Sequence, residues 1–422
     1  MPVVDNHYDL IVIGGGASGL FLANQISNNI NCLVIEHTNE VGKKLLMSGK
    51  GQCNLTHDSN IKDFIEHYGE NGKRIRSILY KYNNIHLKQF FKQRKLPLIT
   101  RSDNKVFPET LKSQDVKDLL VKGCQDLGVE IKKNCQPFSI EYLDNQYLIE
   151  TNNGLFRSNY LVIATGGSSY PRSGSDGSFL SILKAMNIPI VNPVPALVTI
   201  SLDNYLLSSL SGISIKQVEL TIEKKNGQVI KKTGDLLFTH KGLSGPLILN
   251  ASRYIEREDQ LYLNYLGNKN KDEIIKFLKM KIQGNTRQVS YFLSEYFEEL
   301  AKRIVEVFLE QIKIEKGLKA SALSGKQIEL IVDKFTRDQY QVNSLGDFNT
   351  AMVTKGGVSL ESINLKTLES KKYPNLYFIG EVLDIDGDTG GYNLQFAFSS
   401  AHLVSEEIKS KISKNRSDNN SS

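Results

Sequence analysis

The sequence predicts an α/β fold, in which a parallel sheet with helices is interrupted by a long inserted segment. Residues 9–36 run strand, glycine-rich turn, helix and second strand, the order of a parallel α/β unit. From Pro193 the pattern changes to antiparallel β and then, from Lys271, to helical periodicity. After Asp347 a strand and a long helix return, so the last segment is expected to complete the first domain.

The glycine-rich turn follows an apolar run, Leu10–Ile13, that suits a strand buried on both faces. Its glycines have the spacing G-x-G-x-x-G, in which the first allows a tight turn and the second lets a pyrophosphate approach the backbone. The third lets the helix pack on the strand, and the helix N-terminus offers free N–H groups to phosphates. The residues predicted to bind a dinucleotide here are Gly14, Gly16, Ala17, Ser18 and Gly19.

Glu36 ends the second strand, where a carboxylate can accept hydrogen bonds from ribose hydroxyls. An acid at this position disfavours a 2′-phosphate, so the nucleotide is expected to be NAD-like or FAD and not NADP. A glycine-rich turn with a purely structural role is the alternative. The strand, helix, second strand and acid in register favour a Rossmann-type dinucleotide-binding domain instead.

Composition and charge exclude several classes of protein. The net charge of +6 is mild and its basic residues are scattered, which favours a solvated surface over nucleic-acid binding. Asp5, Asn6 and His7 argue against a signal peptide, and no run of about 20 apolar residues predicts a membrane span. The 4 cysteines are widely spaced and lack a C-x-x-C pair, which fits a reducing cytoplasm.

Residues 1–191 are predicted to be the first part of the dinucleotide-binding domain. Helical spacing over residues 113–127 predicts a helix that Gly128 ends. Residues 160–163 are predicted to be another buried strand, which ends in glycines. The alternating segments predicted to form a small β-meander before it are 139–142, 147–151 and 155–158.

Residues 192–346 are predicted to be an inserted domain, β over 192–268 and helical over 269–340. Asn226-Gly227 between two alternating segments predicts a type I′ hairpin. An apolar stripe predicts helix over 289–312, and a serine and a glutamine at 324 and 327 predict a capping box. We expect the insertion to form the substrate side of a cleft.

Residues 347–410 are predicted to complete the first domain, with a strand over 376–381 and a helix over 393–408. The tail, residues 411–422, is rich in Lys, Ser, Asn and Asp. This composition predicts disorder.

Four further stretches are predicted to contact the cofactor. Residues 42–56 offer glycines, lysines and polar side chains, although a basic surface loop is the alternative. Residues 164–167 lie at a strand end, where open α/β sheets bind ligands or simply turn, and residues 354–358 are glycine-rich. Residues 380–395 run strand, acidic loop, glycines and helix start, and a second helix N-terminus suits the negative charge of a reduced flavin. The predicted contacts in these stretches are Lys43, Lys44, Ser48, Gly49, Gly51, Asn54, Ala164, Thr165, Gly166, Gly167, Gly380, Glu381, Asp386, Gly391, Tyr392, Asn393, Leu394 and Gln395.

Asp384, Asp386 and Asp388 have the spacing of the first three ligands of a calcium-binding loop. Thr389 stands where that loop needs glycine, and Gln395 stands where it needs glutamate. We therefore predict no metal, and interpret the carboxylates as caps of the loop or as contacts to the ribityl chain of a flavin.

Together these stretches resemble a known family. The matching motifs are GGGASG, KLLMSGKGQCNLT, ATGGSSYP, LFTHKGLSGP at 237–246, and GEVLDIDGDTGGYNLQ. The chain resembles bacterial flavoproteins of the aminoacetone-oxidase and bile-acid-dehydro-reductase-like family over nearly its whole length. The resemblance implies non-covalent FAD, an inserted β-barrel-like and helical substrate domain, and hydride transfer between flavin and a small amine, alcohol or enone.

The resemblance also implies that Pro137 contacts the adenine through its backbone. Proline has no N–H, so this contact would have to use the carbonyl oxygen. The family frequently has a valine at this position, and a tryptophan and a glycine where residues 396–401 read Phe-Ala-Phe-Ser-Ser-Ala. These departures affect packing near the flavin and leave the cofactor prediction in place.

The candidate catalytic residues are His240 and Tyr392. His240 could face the flavin and move a proton, or could be bonded to its own turn. Tyr392 could line the flavin face or simply pack the loop, and Cys53 is interpreted as a structural thiol. No second glycine-rich nucleotide fold is found, so NAD(P)H is expected only as a transient reductant. The alternatives to a small-molecule oxidoreductase are an RNA-modifying flavoprotein and a non-catalytic flavin sensor.

Overall fold

The computed structural model describes residues 6–26, 28–267 and 269–419. The chain divides into two units, one formed by Met1–Pro195 with Phe348–Ser422 and the other by Ala196–Asp347. The inserted unit thus begins four residues later and ends one residue later than the predicted range of 192–346. Residues 1–5 of the predicted first domain lie outside the described residues, as do residues 420–422 of the predicted disordered tail.

Strands and helices are interspersed along the first unit, whereas the inserted unit has most of its strands before most of its helices and ends on a strand. The strands, in chain order, are β1 (His7–Ile13), β2 (Cys32–Ile35), β3 (Thr56–His57), β4 (Leu98–Thr100), β5 (Lys105–Pro108), β6 (Glu130–Lys132), β7 (Pro137–Leu143), β8 (Gln146–Thr151), β9 (Gly154–Ile163), β10 (Ile190–Ala196), β11 (Ile200–Leu202), β12 (Ser214–Glu223), β13 (Val229–Phe238), β14 (Gly242–Ser244), β15 (Gln260–Asn264), β16 (Asp338–Leu345), β17 (Val353–Val358), β18 (Ile363–Asn364), β19 (Glu369–Ser370) and β20 (Leu376–Phe378). The α-helices are α1 (Ala17–Ala23), α2 (Lys43–Met47), α3 (Ile61–Phe64), α4 (Arg76–Lys81), α5 (Asn84–Gln93), α6 (Ser113–Asp126), α7 (Phe179–Ala185), α8 (Gly245–Ala251), α9 (Lys271–Lys281), α10 (Val289–Tyr296), α11 (Lys302–Gln311), α12 (Gly325–Thr336) and α13 (Tyr392–Asn419).

A nine-stranded sheet forms the centre of the first unit, with the main strand order β18-β19-β20-β9-β1-β2-β6. The strands β20, β9, β1, β2 and β6 pair in parallel, and the apolar run in β1 is buried between them. The predicted meander is present, because β7 pairs with β8 and β8 with β9 in antiparallel fashion. The segments predicted separately at 155–158 and 160–163 form one strand, β9, which is alternately exposed at its start and fully buried at its end.

The last helix is longer than the sequence predicted, and the prediction of a disordered tail is wrong up to Asn419. α13 continues through Asn419, and its second half still has contacts within its unit. Ile408 and Ile412, four residues apart on one helical face, are both buried. The Arg416 guanidinium donates a hydrogen bond to the Asn29 carbonyl at 2.9 Å. Amino-acid composition, on which the prediction of disorder was based, does not show that Ile408 and Ile412 lie on one helical face.

The inserted unit contains a closed barrel with the strand order β11-β14-β13-β12-β15-β16, accompanied by the helices α9 to α12. The apolar stripe predicted as one helix over 289–312 is divided into α10 and α11. The capping box is confirmed, since Ser324 accepts from the N–H of Gln327 and the Gln327 side chain accepts from the N–H of Ser324.

The hairpin between β12 and β13 is also confirmed, but its turn type is not. A type I′ turn needs a positive φ at both central residues. Here Gly227 has a φ of 82°, whereas Asn226 does not lie in the left-handed region. The N–H of Gly227 bonds instead to the carbonyl of Lys224 at 2.9 Å, so the turn lies one residue earlier than predicted.

Two small sheets accompany the central sheet of the first unit, β3-β5-β4 and β10-β17. The strands β3 and β17 overlap stretches that the sequence predicted to contact the cofactor. No helix in the described part of the chain has the length and apolar character that a bilayer span requires.

Candidate functional site

Two glycines of the N-terminal turn are required by close contacts inside the protein. Gly14 has a φ of 110°, and a Cβ at this position would lie 2.3 Å from the carbonyl oxygen of Ala164. A Cβ at Gly19 would lie 2.0 Å from the carbonyl oxygen of Gly14. These are the roles predicted for the first and third glycines, a tight turn and close packing of α1 on the sheet.

Gly16, the second glycine, faces open space. A Cβ there would have no heavy atom within 4 Å, and its φ of −84° is one that any residue adopts. No side chain among the described residues caps the N-terminus of α1. The open space and the uncapped N–H groups are what a pyrophosphate needs for close approach, so these residues fit a dinucleotide cofactor.

Glu36 is held beside this turn by the backbone. Its carboxylate accepts hydrogen bonds from the N–H of Gly15 at 3.0 Å and the N–H of Thr38 at 2.8 Å. The Glu36 carbonyl accepts from the N–H of Cys135 at 2.9 Å, which brings the start of β7 and the buried Pro137 near the same edge. The remaining lone pairs of the carboxylate suit ribose hydroxyls. The cofactor contacts predicted for Glu36 and Pro137 stay predictions.

Lys44 and Glu381 form the centre of a polar cluster that joins three of the predicted stretches. The Lys44 ammonium lies 2.6 Å from Glu381 Oε2 and 2.5 Å from Ser169 Oγ. Glu381 Oε1 accepts from the N–H of Thr354 and from Ser169 Oγ, both at 2.8 Å. The positive charge that the sequence offered to a cofactor is therefore compensated within the protein. The cluster fixes the loops around the site relative to one another.

Replacing Glu381 by glutamine is expected to destabilise the protein by about 1–3 kcal/mol, because the half-buried Lys44 ammonium loses its anion. The affinity for FAD is expected to fall as well, since the loops that the cluster joins become less fixed. Urea unfolding and FAD titration measure both effects. Glu361→Gln is the matched control, because Glu361 pairs with Arg74 at an exposed position and its loss should cost less than about 1 kcal/mol. Equal losses in the two variants would contradict the prediction.

The acidic loop is held by its own contacts. Asp384 accepts from the N–H of Gly356 at 3.0 Å, and burial raises the pKa of its carboxyl above the ordinary value. Asn393 accepts from the N–H of Gly387 at 2.7 Å, and Gly391, with a φ of 98°, lies against the backbone of Thr56. Among the described residues no cluster of His, Cys, Asp or Glu has an arrangement that could hold a metal ion.

The side chain of Gln395 forms hydrogen bonds inside its unit, although its motif predicted a contact with the cofactor. Its side chain is fully buried, and its oxygen accepts from Thr56 Oγ1 at 2.6 Å. Its amide nitrogen donates to the Tyr82 carbonyl at 3.1 Å and lies 3.0 Å from Ser399 Oγ. The side-chain amide is thus used inside the unit, and a cofactor contact by Gln395 stays a prediction.

Tyr392 lies in an aromatic cluster that the sequence did not reveal. Its buried ring stacks on the imidazole of His67 with centroids 4.0 Å apart, and the ring of His57 lies 5.3 Å away. His67 Nδ1 lies 3.0 Å from the carboxylate of Asp388. Neither histidine belongs to a predicted motif, and the only sequence signal was that His57 directly follows the stretch 42–56.

His240 is exposed in the inserted unit, between β13 and β14. The hydrogen bonds that close its turn come from Thr239, whose N–H and hydroxyl both donate to the Gly242 carbonyl at 2.9 Å. Its catalytic role stays a prediction. Cys53 is fully buried, and burial raises the pKa of its thiol to about 12, which supports the structural interpretation.

The other predicted site residues all lie in the first unit, at different depths. Buried are Ser18, Gly19, Glu36, Pro137, Ala164, Gly167, Gly380, Asp386, Tyr392 and Gln395. Half-buried are Gly14, Gly16, Ala17, Lys43, Lys44, Ser48, Gly51, Asn54, Thr165, Gly166, Glu381, Gly391, Asn393 and Leu394, and Gly49 is exposed. Gly380 joins the first and last motifs, because a Cβ there would lie 2.8 Å from Ser18 Oγ.

A parallel sheet, a glycine turn open at Gly16 and a carboxylate at the end of β2 define a Rossmann-type dinucleotide-binding protein. The chain belongs to the family described as HI0933-like protein Rossmann domain, whose model matches residues 8–407.

Two curated relatives match nearly the whole chain. It is 31% identical over 406 residues to a ribosomal RNA dihydrouridine synthase of Haemophilus influenzae, covering 94% of this chain and 98% of that protein. It is 25% identical over 406 residues to a 3-dehydro-bile acid delta(4,6)-reductase of Clostridium scindens, covering 93% of this chain and 97% of that protein. The second relative agrees with the resemblance noted in the sequence at the level of the family.

Among solved structures, the chain shares its fold with a 3-ketosteroid-delta4-(5alpha)-dehydrogenase of Rhodococcus jostii RHA1. The TM-score is 0.51 at 12% identity, with 97% of this chain and 98% of that chain covered. The family and the bile-acid reductase relative support the class of flavoprotein oxidoreductases, and the solved structure agrees with them in fold.

Proposed function

We propose that the chain is an FAD-dependent reductase that saturates a C=C bond conjugated with a carbonyl group. The open space at Gly16, beside the carboxylate of Glu36, is the observation that supports a dinucleotide cofactor most directly. The motifs of the last segment favour a flavin. They place a second helix N-terminus at the start of α13, which suits a flavin ring in addition to the nucleotide part of the cofactor. The FAD is bound without a covalent link.

The names of the two relatives both denote a reaction on the same kind of bond. A dihydrouridine synthase saturates the C=C bond of a uracil ring, which is conjugated with a ring carbonyl. The name 3-dehydro-bile acid delta(4,6)-reductase denotes a ketone with conjugated C=C bonds. Uridine in ribosomal RNA is the first substrate to test, because the relative named for it has the higher identity. The scattered basic residues do not by themselves favour RNA, so a small-molecule enone is the second.

The residues of the first unit have separate tasks in this proposal. The backbone N–H groups around Gly16 bind the pyrophosphate, and Glu36 binds ribose hydroxyls. The cluster of Lys44, Glu381 and Thr354 holds the loops in place. When bound, the flavin supplies the hydride that reduces the substrate. A reduced nicotinamide is the source of electrons in this proposal. It binds only transiently, because no second nucleotide fold is found in the sequence.

An anaerobic titration tests the proposal. The purified FAD-loaded protein is mixed with NADH and then NADPH, and the bleached protein is mixed with an unmodified ribosomal RNA transcript or with cyclohex-2-enone. We expect the flavin absorbance to bleach and then return with one of the two probes, while that probe gains two hydrogens by mass. Bleached protein that neither probe reoxidises would contradict the proposed reaction. Absorbance that persists with both nicotinamides would point to an oxidase of amines or to a sensor.

A further inference from the structure

His67 and Asp388 form a bonded pair beside the loop that precedes α13. His67 Nδ1 lies 3.0 Å from Asp388 Oδ2, and the Asp388 N–H donates to the His67 carbonyl at 2.8 Å. Two hydrogen bonds in opposite directions thus tie the short 3-10 segment Ile65–Asn71 to the acidic loop. The pair is partly accessible, with 35% of the imidazole and 20% of the carboxylate side chain exposed.

The orientation of the imidazole is fixed by aromatic contacts as well. The ring of His67 stacks on Tyr392 with an interplanar angle of 16°, and Tyr68 donates a hydrogen bond to the Tyr392 carbonyl at 2.7 Å. Phe64 packs edge-on against the Tyr392 ring. Because Nδ1 is directed at the carboxylate, Nε2 is the nitrogen left for another partner. Among the described residues no hydrogen bond to His67 Nε2 is found.

This arrangement matches what a proton donor requires. A carboxylate that accepts from Nδ1–H selects the tautomer of a histidine and stabilises its protonated form, so that Nε2–H can be given to a reacting atom. The loop that contains Asp388 leads into Gly391 and Tyr392, both of which are predicted to contact the flavin. The charged or titratable groups that face His67 are Asp388, Tyr392 and His57.

We propose that His67, positioned by Asp388, donates the proton that completes reduction of the conjugated C=C bond. The inference rests on the proposed function and names a residue for it. With FAD bound and reduced, the flavin would supply a hydride to one carbon of the C=C bond, and His67 Nε2 would give its proton to the other. The π bond is lost and two C–H bonds form, so the substrate is reduced by two electrons and the flavin is oxidised by two. The neutral imidazole then takes a proton from solvent.

His67 is a better donor than its two aromatic neighbours. Burial raises the pKa of the Tyr392 hydroxyl above its ordinary value, so this group is a weak acid near neutral pH. Burial lowers the pKa of His57, so its imidazole is mostly neutral there. His67 instead has the geometry of a general acid, since its Nδ1 contacts the carboxylate of Asp388 and its ring is partly exposed.

The test separates the two half-reactions of the FAD-loaded protein. His67→Gln is reduced anaerobically with NAD(P)H and mixed with whichever probe, the ribosomal RNA transcript or cyclohex-2-enone, reoxidises the wild-type protein. We expect the reoxidation rate to fall about 100-fold or more, the usual contribution of a general acid. The rate of flavin reduction and the dissociation constant of FAD should stay within about twofold, because neither involves this proton. Imidazole added to His67→Ala should restore part of the reoxidation rate.

His86→Gln is the matched control, since His86 is exposed in the first turn of α5 and glutamine also suits its place in a capping box. It should behave as the wild type in both half-reactions. Asp388→Asn tests the positioning role, and it should lower the reoxidation rate while flavin reduction and the dissociation constant of FAD stay within about twofold, because the amide can donate to Nδ1 and no longer holds the imidazole in the required tautomer.

The outcomes distinguish the inference from the function on which it rests. Reoxidation of His67→Gln at the wild-type rate, or an equal loss in both half-reactions, would overturn the role of His67 and leave the proposed reaction intact. If neither probe reoxidises the wild-type protein, the proposed reaction itself fails, and the role of His67 fails with it.

Discussion

Gly16→Ala is expected to lower the affinity for FAD by about 100-fold without destabilising the protein. The new methyl group would project into the open space that the pyrophosphate needs, at a cost of about 3 kcal/mol, which corresponds to that loss of affinity. The backbone at Gly16 already has a φ that alanine adopts, so the free energy of unfolding should stay equal or rise by up to about 1 kcal/mol. Titration of the cofactor-free protein with FAD and urea unfolding measure the two quantities.

Gly19→Ala is the control that separates folding from binding. A Cβ at Gly19 would lie 2.0 Å from the carbonyl oxygen of Gly14, so α1 must shift away from the turn. We expect a loss of stability of about 3 kcal/mol, together with a loss of FAD affinity. If Gly16→Ala loses as much stability as Gly19→Ala, the space at Gly16 is not the cofactor cradle that we infer.

Asp338→Ala is expected to destabilise the inserted unit by about 3–5 kcal/mol, because it removes the anion from a buried polar cluster. The Asp338 carboxylate accepts from the Tyr265 hydroxyl at 2.8 Å, from the Tyr340 hydroxyl at 2.5 Å and from the Lys334 ammonium at 2.7 Å. Lys334 is only 10% exposed, so its charge would be left without an anion inside the protein. Urea unfolding followed by far-ultraviolet circular dichroism measures the change.

Asp333→Ala provides the matched control, since Asp333 also pairs with a lysine but is half exposed. Its removal should cost less than about 1 kcal/mol, as for other ion pairs at the surface. Replacing both Lys334 and Asp338 by apolar residues should recover part of the loss, because no unpaired charge then remains. A small effect of Asp338→Ala alone would show that water reaches Lys334 and compensates for the missing carboxylate.

The elements predicted correctly are those whose cause lies within a short segment. The strand and turn of residues 10–19 were predictable because the sterics of Gly14 and the apolar run of β1 are local properties. The same holds for the capping box at Ser324, whose partner is three residues away. The position of the hairpin is also determined by residues that are close together in the sequence. Its turn type was not determined by the dipeptide, because the register of β12 against β13 decides which residue takes the positive φ.

The candidate site was predictable as a set of segments but not as a set of contacts. Lys44 was assigned to the cofactor from its charge, yet its ammonium is paired with Glu381, 337 residues away in the sequence. Gln395 was assigned from its motif, yet its amide is bonded to Thr56 and Tyr82 inside the unit. The spacing of the cysteines and the distribution of charge in the sequence indicate neither the pairing of Lys44 nor the hydrogen bonds of Gln395.

The sequence by itself determined the α/β class, the dinucleotide turn and the order of the inserted segment, since each depends on periodicity and on residues that are neighbours in the chain. The tertiary structure decided how far α13 extends, which charges are compensated, and that His67 meets Asp388 across 321 residues. Such pairings depend on which loops the sheet brings together at one edge. That information is distributed over the whole chain, so no local pattern contains it.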